Sequence, residues 1–231
     1  MPEVDDTRKR GFAQQPPMPE TKKRADFQRS RDRLIETVGL VMPTSTRPVT
    51  LRSLAQHAGL GQATAYRHFS SLEELLGAYF ESIVGQLNAY SQASTRTGPD
   101  LFEDVAQRWI DLVLQNGRAM VQIRSSRGYL ERLHADVDYV VLMDQALKRP
   151  IEELLASWQL PPVGDRALQL WNILFDPREV LDLLNTLGMS KPEICAHLIT
   201  AFKGALHAIS LVEGGRPSPW EQPAPGTVSG S

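Results

Sequence analysis

The stretch from Thr50 to Phe69 constrains the fold of this chain more than any other segment, because it predicts two short helices joined by a tight turn. Thr50 is a favourable residue for the cap that begins a helix. Gly59 stands where the first of the two helices must end, and glycine readily adopts the left-handed conformation that terminates helices. Apolar residues recur at helical spacing between these two positions, at Leu51, Leu54, Ala55 and Ala58.

The second short helix is predicted to begin near Gly61–Gln62, after Leu60 has filled the space between the two helices. Its spacing points Ala65 and Phe69 inward. The side chains predicted to lie largely outward are those of Gln62, Thr64, Tyr66, Arg67 and His68. A short helix, a glycine turn and a second short helix make the helix-turn-helix pattern, whose second helix enters the major groove of DNA.

At these residues the chain resembles the TetR family of bacterial transcriptional regulators. The family's pattern stands here as Ala58-Gly59-Leu60, Thr64 and Tyr66-Arg67-His68-Phe69. The run from Ser70 to Leu75 resembles the family's entry into a long fourth helix. The resemblance covers about residues 26–80, and the rest of the chain is similar to the family only in length and helicity. An ordinary helical hairpin is the alternative interpretation.

The resemblance implies which side chains meet DNA. Arg52 and Gln62 match positions that read bases, since arginine pairs with guanine and glutamine with adenine, and Ala63 is placed to contact a thymine methyl group. Arg67 is expected to reach either a base or a phosphate. The residues expected to contact phosphates are Thr50, Thr64, Tyr66, His68 and Ser71. The alternatives are a solvated surface charge for Arg52 and an ordinary first-turn helix residue for Gln62.

Two positions depart from the family pattern. Leu72 stands where many members have a lysine that binds the DNA backbone, and Gly61 replaces a serine that is common at the turn. We expect Arg67 or the basic N-terminal segment to offset the missing lysine.

Periodicity outside this segment predicts an all-α fold. A first helix is expected from about Asp26 to Val41, and it completes an N-terminal three-helix, helix-turn-helix DNA-binding domain over residues 25–71. Ser71 and Glu74 form a predicted capping box for a long fourth helix. The helices that follow, with no alternating strand pattern, make a larger C-terminal ligand-binding and dimerisation domain over residues 72–213.

Three breaks subdivide this larger domain. The fifth helix is predicted to stop at Asn116-Gly117. The apolar stripe of a later helix stays in phase across Pro150, which favours one kinked helix over two separate ones. Two further helices are expected to be hinged at Asp176-Pro177.

For the same domain the resemblance implies a pocket for an unknown small-molecule ligand among helices four to eight, whose occupancy reorients the DNA-binding domains. The aromatic or polar candidates for its lining are Trp109, Tyr129, His134, Trp158, Trp171 and Asn172. Simple core packing is the alternative role for each of them.

The last helix carries two neighbouring apolar stripes, and so broad an apolar surface requires contact on two sides. One side is expected to face a second copy of the chain, because a helix-turn-helix protein gains specificity from two half-sites. In the TetR family the last two helices pair as a four-helix bundle across the two-fold axis. The candidate interface residues are Phe175, Leu184, Leu198, Ala201, Phe202, Ala205 and Ile209. A central helix buried in a monomer is the alternative.

Charge is distributed unevenly along the chain. Residues 1–70 contain 12 Lys and Arg against 7 Asp and Glu, whereas residues 71–231 contain 13 against 20. A basic end on an acidic remainder suits a module that faces DNA phosphates. Residues 1–24 are expected to be a disordered basic arm that reaches DNA, or a plain solvated tail, and residues 214–231 a disordered tail.

An enzyme is not expected. The sequence has no nucleophile elbow, Walker A loop or dinucleotide-binding glycine motif. Cys195 and His197 lie two residues apart on a helix, so their side chains diverge, and we predict no metal site and no cofactor. The single cysteine fits a reducing cytoplasm. The best apolar run, Val137 to Met143, is too short to span a bilayer, so no membrane partner is expected.

Together these observations predict a sequence-specific, dimeric, cytoplasmic transcriptional regulator that binds an inverted-repeat operator in double-stranded DNA. A repressor released by a small molecule is the favoured form. The alternative is a helical ligand-binding or protein-interaction module without specific DNA binding, which the Leu72 departure favours.

Overall fold

The computed structural model describes residues 20–45, 47–122 and 127–213, and this part of the chain contains helices and loops but no strand. The predicted all-α fold is therefore confirmed. The helices are α1 (Glu20–Val41), α2 (Leu51–His57), α3 (Gln62–His68), α4 (Leu72–Ala93), α5 (Gly98–Met120), α6 (Tyr129–Leu133), α7 (Asp138–Ser157), α8 (Asp165–Leu174), α9 (Pro177–Asn185) and α10 (Lys191–Glu213). We refer to α1–α3 as the head and to α4–α10 as the body.

Helix α1 begins at Glu20, six residues before the predicted start at Asp26. The charged residues of this segment include Lys22, Lys23 and Arg24, and lysine and arginine are good helix formers because their straight side chains lose little rotamer freedom. Residues 20–24 are therefore helical, although the sequence assigned them to the disordered arm. Residues 1–19 of that arm and the predicted tail, 214–231, lie outside the described residues.

Helix α4 is capped by Ser71, whose Oγ accepts the backbone N–H of Glu74 at 3.1 Å. The second half of the predicted capping box is displaced by one residue. The Glu74 carboxylate accepts the backbone N–H of Ser70 at 2.6 Å and its hydroxyl at 2.7 Å. These hydrogen bonds lower the pKa of Glu74. Both residues before α4 are thereby fixed, which sets the angle at which α4 leaves the head.

Helix α5 runs through Asn116-Gly117 to Met120, so the predicted stop at this glycine is wrong. A Cβ atom at position 117 would lie 2.8 Å from Leu181 Cδ1. Glycine at this position therefore allows α9 to pack closely against α5, and that contact compensates for its low helix propensity. Tertiary packing, and not the local sequence at Gly117, therefore determines where α5 ends.

Helix α7 continues through Pro150 as one helix, as the unbroken apolar stripe predicted. It packs against α4 and α5, and these three helices form the centre of the body. An aromatic cluster fills the space between α5, α8 and α10. Within it Trp171 stacks on Phe175 at 4.0 Å between ring centroids, and Phe102 stacks on Phe202 at 4.9 Å.

Helix α10 is long and apolar enough over Lys191–Val212 to cross a membrane by length and composition, with a mean hydropathy of 1.4. No such segment was predicted from the sequence. Core helices of soluble proteins meet the same criterion, and the residues of one face of α10, Ile194, Leu198, Phe202 and Leu206, are buried in the protomer. Only 39% of the most apolar stretch of this helix is buried, and Ala201, Ala205, Ile209 and Val212 are among its residues that remain at least partly exposed in one chain.

The head and the body meet around the end of α1. A Cβ atom at Gly39 of α1 would lie 2.9 Å from the Tyr79 hydroxyl oxygen, so α1 and α4 approach closely there. The same hydroxyl donates to Asn116 Oδ1 at 2.7 Å. Beyond it, Arg118 Nη1 donates to the backbone carbonyl of Pro43 at 2.7 Å. The C-terminal end of α5 is thus tied to the loop that leads into α2.

Candidate functional site

The turn between α2 and α3 has the geometry that its glycine predicted. Gly59 has a φ of +64°, in the left-handed region. The Leu60 N–H donates to the Ala55 carbonyl at 2.8 Å, which closes the turn. Thr50 caps α2, because its Oγ1 accepts the Ser53 N–H at 3.1 Å. Gly61 begins α3 without a side-chain hydrogen bond, so this helix start lacks the cap that a serine would supply.

Helix α3 is fixed by its buried face and presents its other face to solvent. Ala65 and the adjoining Phe69 are buried in the head. Gln62, Ala63 and Arg67 are exposed, and Tyr66 is 49% exposed. Arg52 on α2 is exposed as well. The candidate base readers therefore lie on solvent-accessible surface of the head.

Two of the candidate phosphate ligands are cap residues. The oxygen atoms of Thr50 and Ser71 both accept backbone N–H groups, at the starts of α2 and α4. Such an arrangement leaves the Ser71 hydroxyl proton available to a phosphate, next to the free N–H groups of a helix N-terminus. Thr64 is half-buried on α3.

His68 lies inward, although the sequence placed it outward among the phosphate ligands. Its Nε2 is 2.7 Å from Ser30 Oγ, and its ring centroid is 4.1 Å from that of Phe27. Burial lowers the pKa of His68, and the charges of Arg67 and Arg31 lower it further. The neutral imidazole therefore joins α3 to α1. The cause is the contact with α1, which lies far away in the sequence.

Leu72, which replaces the family's lysine, is half-buried against the core. It lines a groove of about 560 Å³ between the head and the body. The other lining residues are Met42, Pro48, Val49, Glu73, Leu76 and Gln122. An apolar side chain here packs at the junction between the two parts.

The body contains a cavity of about 340 Å³. Four of the six predicted pocket residues line it, namely Trp109, Tyr129, Trp171 and Asn172. The other lining residues are Phe80, Met120, Val121, Arg132, Tyr139, Val140, Met143, Phe175, Asp176, Pro177 and Arg178. The volume is near the lower end of the range of roughly 300–1,000 Å³ that small-molecule sites occupy.

The remaining two pocket candidates lie elsewhere. His134 is exposed, and its Nε2 is 2.7 Å from the Asp165 carboxylate. Trp158 packs against His207 at 5.5 Å between ring centroids. Neither residue lines the cavity.

The charged residues of the cavity were not predicted from the sequence. Arg178 donates to both carboxylate oxygens of Asp176, at 2.9 and 2.8 Å. Arg132 donates from Nη1 to the Tyr139 hydroxyl at 2.6 Å. A local sequence signal existed for Asp176 and Arg178, since Asp176 is part of the predicted hinge and Arg178 directly follows it. No local signal existed for Arg132, because its neighbours in the cavity come from several helices.

The candidate interface residues divide into two groups. Phe175, Leu198 and Phe202 are buried inside the protomer, so their side chains belong to its core. Leu184, Ala201, Ala205 and Ile209 are partly exposed. Ile173 on α8 is 57% exposed and Val212 on α10 is 50% exposed. The apolar side chains that remain at least partly exposed therefore lie on α8, α9 and α10.

Among the described residues no group of three or more His, Cys, Asp or Glu side chains is arranged to hold a metal ion. Cys195 is buried, and burial raises the pKa of its thiol.

No curated protein sequence matches this chain. Among solved structures, a TetR transcriptional regulator from Rhodococcus sp. RHA1 is similar with a TM-score of 0.51 and 19% sequence identity, over 78% of this chain and 96% of that chain. A proposed TetR-family transcriptional regulator from Mesorhizobium loti MAFF303099 gives a TM-score of 0.49 and 17% identity, over 79% and 97% of the two chains. At such identities the first likeness shows the fold.

The segment that holds the turn is also similar to a known family in sequence. Residues 45–79 match the sequence profile of the bacterial regulatory proteins of the tetR family. The matched segment contains α2, α3 and the start of α4, and the all-α fold of the Rhodococcus regulator extends over most of the chain. The helix-turn-helix segment of this chain is thus similar to the tetR family, and the described chain shares its all-α fold with a TetR transcriptional regulator.

Proposed function

We propose that this protein is a TetR-type transcriptional regulator, a cytoplasmic repressor that binds an inverted-repeat operator as a homodimer and is released when a small molecule occupies the cavity of the body. The observation that carries the proposal is the position of the end of α5. Met120 and Val121 line the cavity, and Arg118, two residues before Met120, holds the head through Pro43. One short segment thus contacts both the ligand site and the DNA-binding part.

Base reading falls to the exposed side chains of α2 and α3. Arg52 pairs with a guanine, Gln62 with an adenine, and Ala63 contacts a thymine methyl group. Arg67 and Tyr66 lie on the same exposed face and contact a base edge or the backbone. Thr50, Thr64 and Ser71 bind phosphates. His68 acts differently, because its contacts with α1 make it a residue that orients α3.

Dimerisation uses the exposed apolar side chains of α8, α9 and α10. The buried side chains Phe175, Leu198 and Phe202 support this surface from within the protomer. The residues that meet the partner are Leu184, Ala201, Ala205 and Ile209, joined by the exposed Ile173 and Val212. Small residues at positions 201 and 205 allow close approach of two helices. The two heads are then held at a fixed separation that matches two half-sites.

Release follows from a difference in affinity. In one conformation of the dimer the separation of the two heads no longer matches the two half-sites. A ligand that binds more tightly to this conformation shifts the dimer toward it and away from DNA. Displacement of Met120 or Val121 by the ligand moves the adjoining turn of α5, and with it Arg118 and the loop at Pro43. We infer a binding role for the cavity and no catalytic one.

The test is a binding titration on fluorescently labelled duplexes. One duplex carries the inverted repeat found near the chain's own gene, and the control duplex has the same composition with the repeat scrambled. We expect binding to the repeat to be at least about a thousandfold tighter than binding to the scrambled duplex. The affinity is expected to fall steeply with salt, because bound phosphates release counterions.

Equal affinity for both duplexes, or no binding at low salt, contradicts the proposal and leaves the module without specific DNA binding. Sedimentation of the free protein tests the dimer in the same preparation. A monomer at micromolar concentration contradicts the interface on α8, α9 and α10.

A further inference from the structure

Arg132 is the one cation of the cavity lining without an ion pair in the described part of the chain, although the Asp176 carboxylate, which pairs with Arg178, also lies within electrostatic range of it. The Arg132 guanidinium lies 5.7 Å from the ring centroids of both Tyr129 and Tyr139. It donates from Nη1 to the Tyr139 hydroxyl at 2.6 Å and weakly from Nε to the Gly128 carbonyl at 3.4 Å. A guanidinium has five N–H donors, so three remain for another acceptor.

The other charges of the lining cancel each other. Burial favours the neutral form of Asp176, but its hydrogen bonds with Arg178 outweigh burial and lower the pKa of this carboxyl. The same contact raises the pKa of Arg178. This pair is therefore ionised and internally neutral, and the lining as a whole carries one net positive charge on Arg132.

Two uncommitted polar groups accompany Arg132. The Tyr129 hydroxyl is buried and has no hydrogen-bond partner in the described residues. Burial raises the pKa of Tyr129, and Asp144 raises it further, so the hydroxyl stays protonated and is a donor. Asn172 also lines the cavity, and its side-chain amide forms no hydrogen bond within the same residues. An unpaired buried donor is costly, and a bound acceptor would satisfy it.

The remaining walls are flat and apolar. The Phe80 ring meets Trp109 edge to face at 6.3 Å and Tyr139 edge to face at 5.1 Å. Trp171 and Phe175 form a stacked pair on the same cavity. Such surfaces favour aromatic rings in stacked or edge-to-face arrangements. Met120 and Met143 add polarisable side chains that adapt to the outline of a ring.

We propose that the cavity binds a small aromatic carboxylate, with its ring between the aromatic side chains and its carboxylate on the free N–H groups of Arg132 and the hydroxyl of Tyr129. Asn172 positions the ligand by a further hydrogen bond. This inference rests on the proposed function only in taking the cavity as the ligand site. A cationic ligand is disfavoured, because it would meet the charge of Arg132 at short range.

The test compares three probes that differ only in the polar group: 2-naphthoate, its neutral amide, and the corresponding methylammonium cation. Calorimetry on the full chain without DNA gives each affinity directly. We expect the carboxylate to bind at least about tenfold more tightly than the amide, since charge-assisted hydrogen bonds are the stronger kind. The cation is expected to bind most weakly.

Arg132→Gln is the decisive variant. It should weaken carboxylate binding by about tenfold to a hundredfold and leave amide binding nearly unchanged, so that the preference for carboxylate disappears. Arg132→Lys retains the charge and should retain part of the preference. Tyr129→Phe should weaken the carboxylate and the amide alike. The matched control is Arg96→Gln, which removes a surface charge outside the cavity and should change nothing.

Three results would overturn the proposal: equal binding of carboxylate and amide to the wild-type chain, tighter binding of the cation, or an unchanged preference in folded Arg132→Gln. Failure of all probes to bind at about 1 mM has the same consequence. The outcome is separate from the repressor hypothesis. Selective operator binding without carboxylate binding leaves the repressor and removes this ligand class. Carboxylate binding without operator recognition supports this ligand class and contradicts the repressor hypothesis.

Discussion

The head and the body of this protein use their aromatic and charged side chains in opposite ways. On the head, Arg52, Gln62 and Tyr66 lie on the surface, and the buried Ala65 and Phe69 hold the helix beneath them. In the body, Trp109 and Trp171 line the cavity and are also part of the core. The side chains proposed to recognise DNA are therefore separate from those that fold the head, whereas in the body the side chains proposed to contact the ligand are also core residues.

The largest effect is expected from the body core. Phe202→Ala should lower the free energy of unfolding by about 3–5 kcal/mol, because the ring is fully buried and stacked on Phe102. Urea unfolding followed by circular dichroism measures the change. The matched control is Leu187→Ala, at a side chain that is 68% exposed, where the expected change is within about 0.5 kcal/mol. Similar losses for both variants would contradict the packing described for the body.

The next effect concerns the head. Arg52→Ala should weaken operator binding by about 1–3 kcal/mol, through loss of a bidentate pair with guanine, with little change in unfolding free energy. Fluorescence anisotropy measures the affinity for the operator duplex and for the scrambled duplex. Arg96→Ala is the control for lost charge. A base reader loses more affinity on the operator than on the scrambled duplex. Equal losses on the two duplexes would assign Arg52 to phosphate.

A smaller effect is expected where the two parts meet. Arg118→Ala removes the hydrogen bond to the Pro43 carbonyl and should destabilise the head by about 1 kcal/mol. Native-state hydrogen exchange reports this as about fivefold faster exchange at the amides of α2 and α3, with little change in α7. Arg118→Lys, which can still donate a hydrogen bond, should give exchange rates between those of the wild type and of Arg118→Ala. Hydrogen exchange that is accelerated equally in α7 would show that Arg118 supports the whole body.

The smallest effect is a dependence on pH. The folded-state pKa of His68 lies below its ordinary value of about 6.5, because burial and the charges of Arg67 and Arg31 disfavour the imidazolium. The unfolded chain therefore binds more protons between the two pKa values, and stability is lost as the pH falls below about 6.5. His68→Gln should reduce the difference between urea midpoints at pH 7.5 and pH 5.5. An unchanged difference would rule out His68 as the cause.

The sequence predicts local features of this fold well. The capped start at Thr50, the left-handed Gly59 and the continuous helix through Pro150 all depend on residues within a few positions of each other. Each rests on backbone conformation or a repeating apolar pattern, which a single segment contains in full.

Features that depend on distant partners were missed. His68 turns inward because Ser30 and Phe27 lie on another helix, and Gly117 is tolerated because Leu181 packs on it. Arg132 was not recognised because its charge becomes significant only when Asp176 and Arg178 pair with each other. Periodicity carries no information about such pairings.

The contact between Arg118 and Pro43 has a consequence for how proteins with this fold diversify. The acceptor is a main-chain carbonyl, which every amino acid supplies, so the contact depends on the path of the loop and not on the residue at position 43. Heads with different operator preferences can therefore replace one another on this body while the contact between Arg118 and the loop at position 43 is retained. A chimera that keeps the loop length between α1 and α2 inherits the junction, whereas one that shortens the loop loses it.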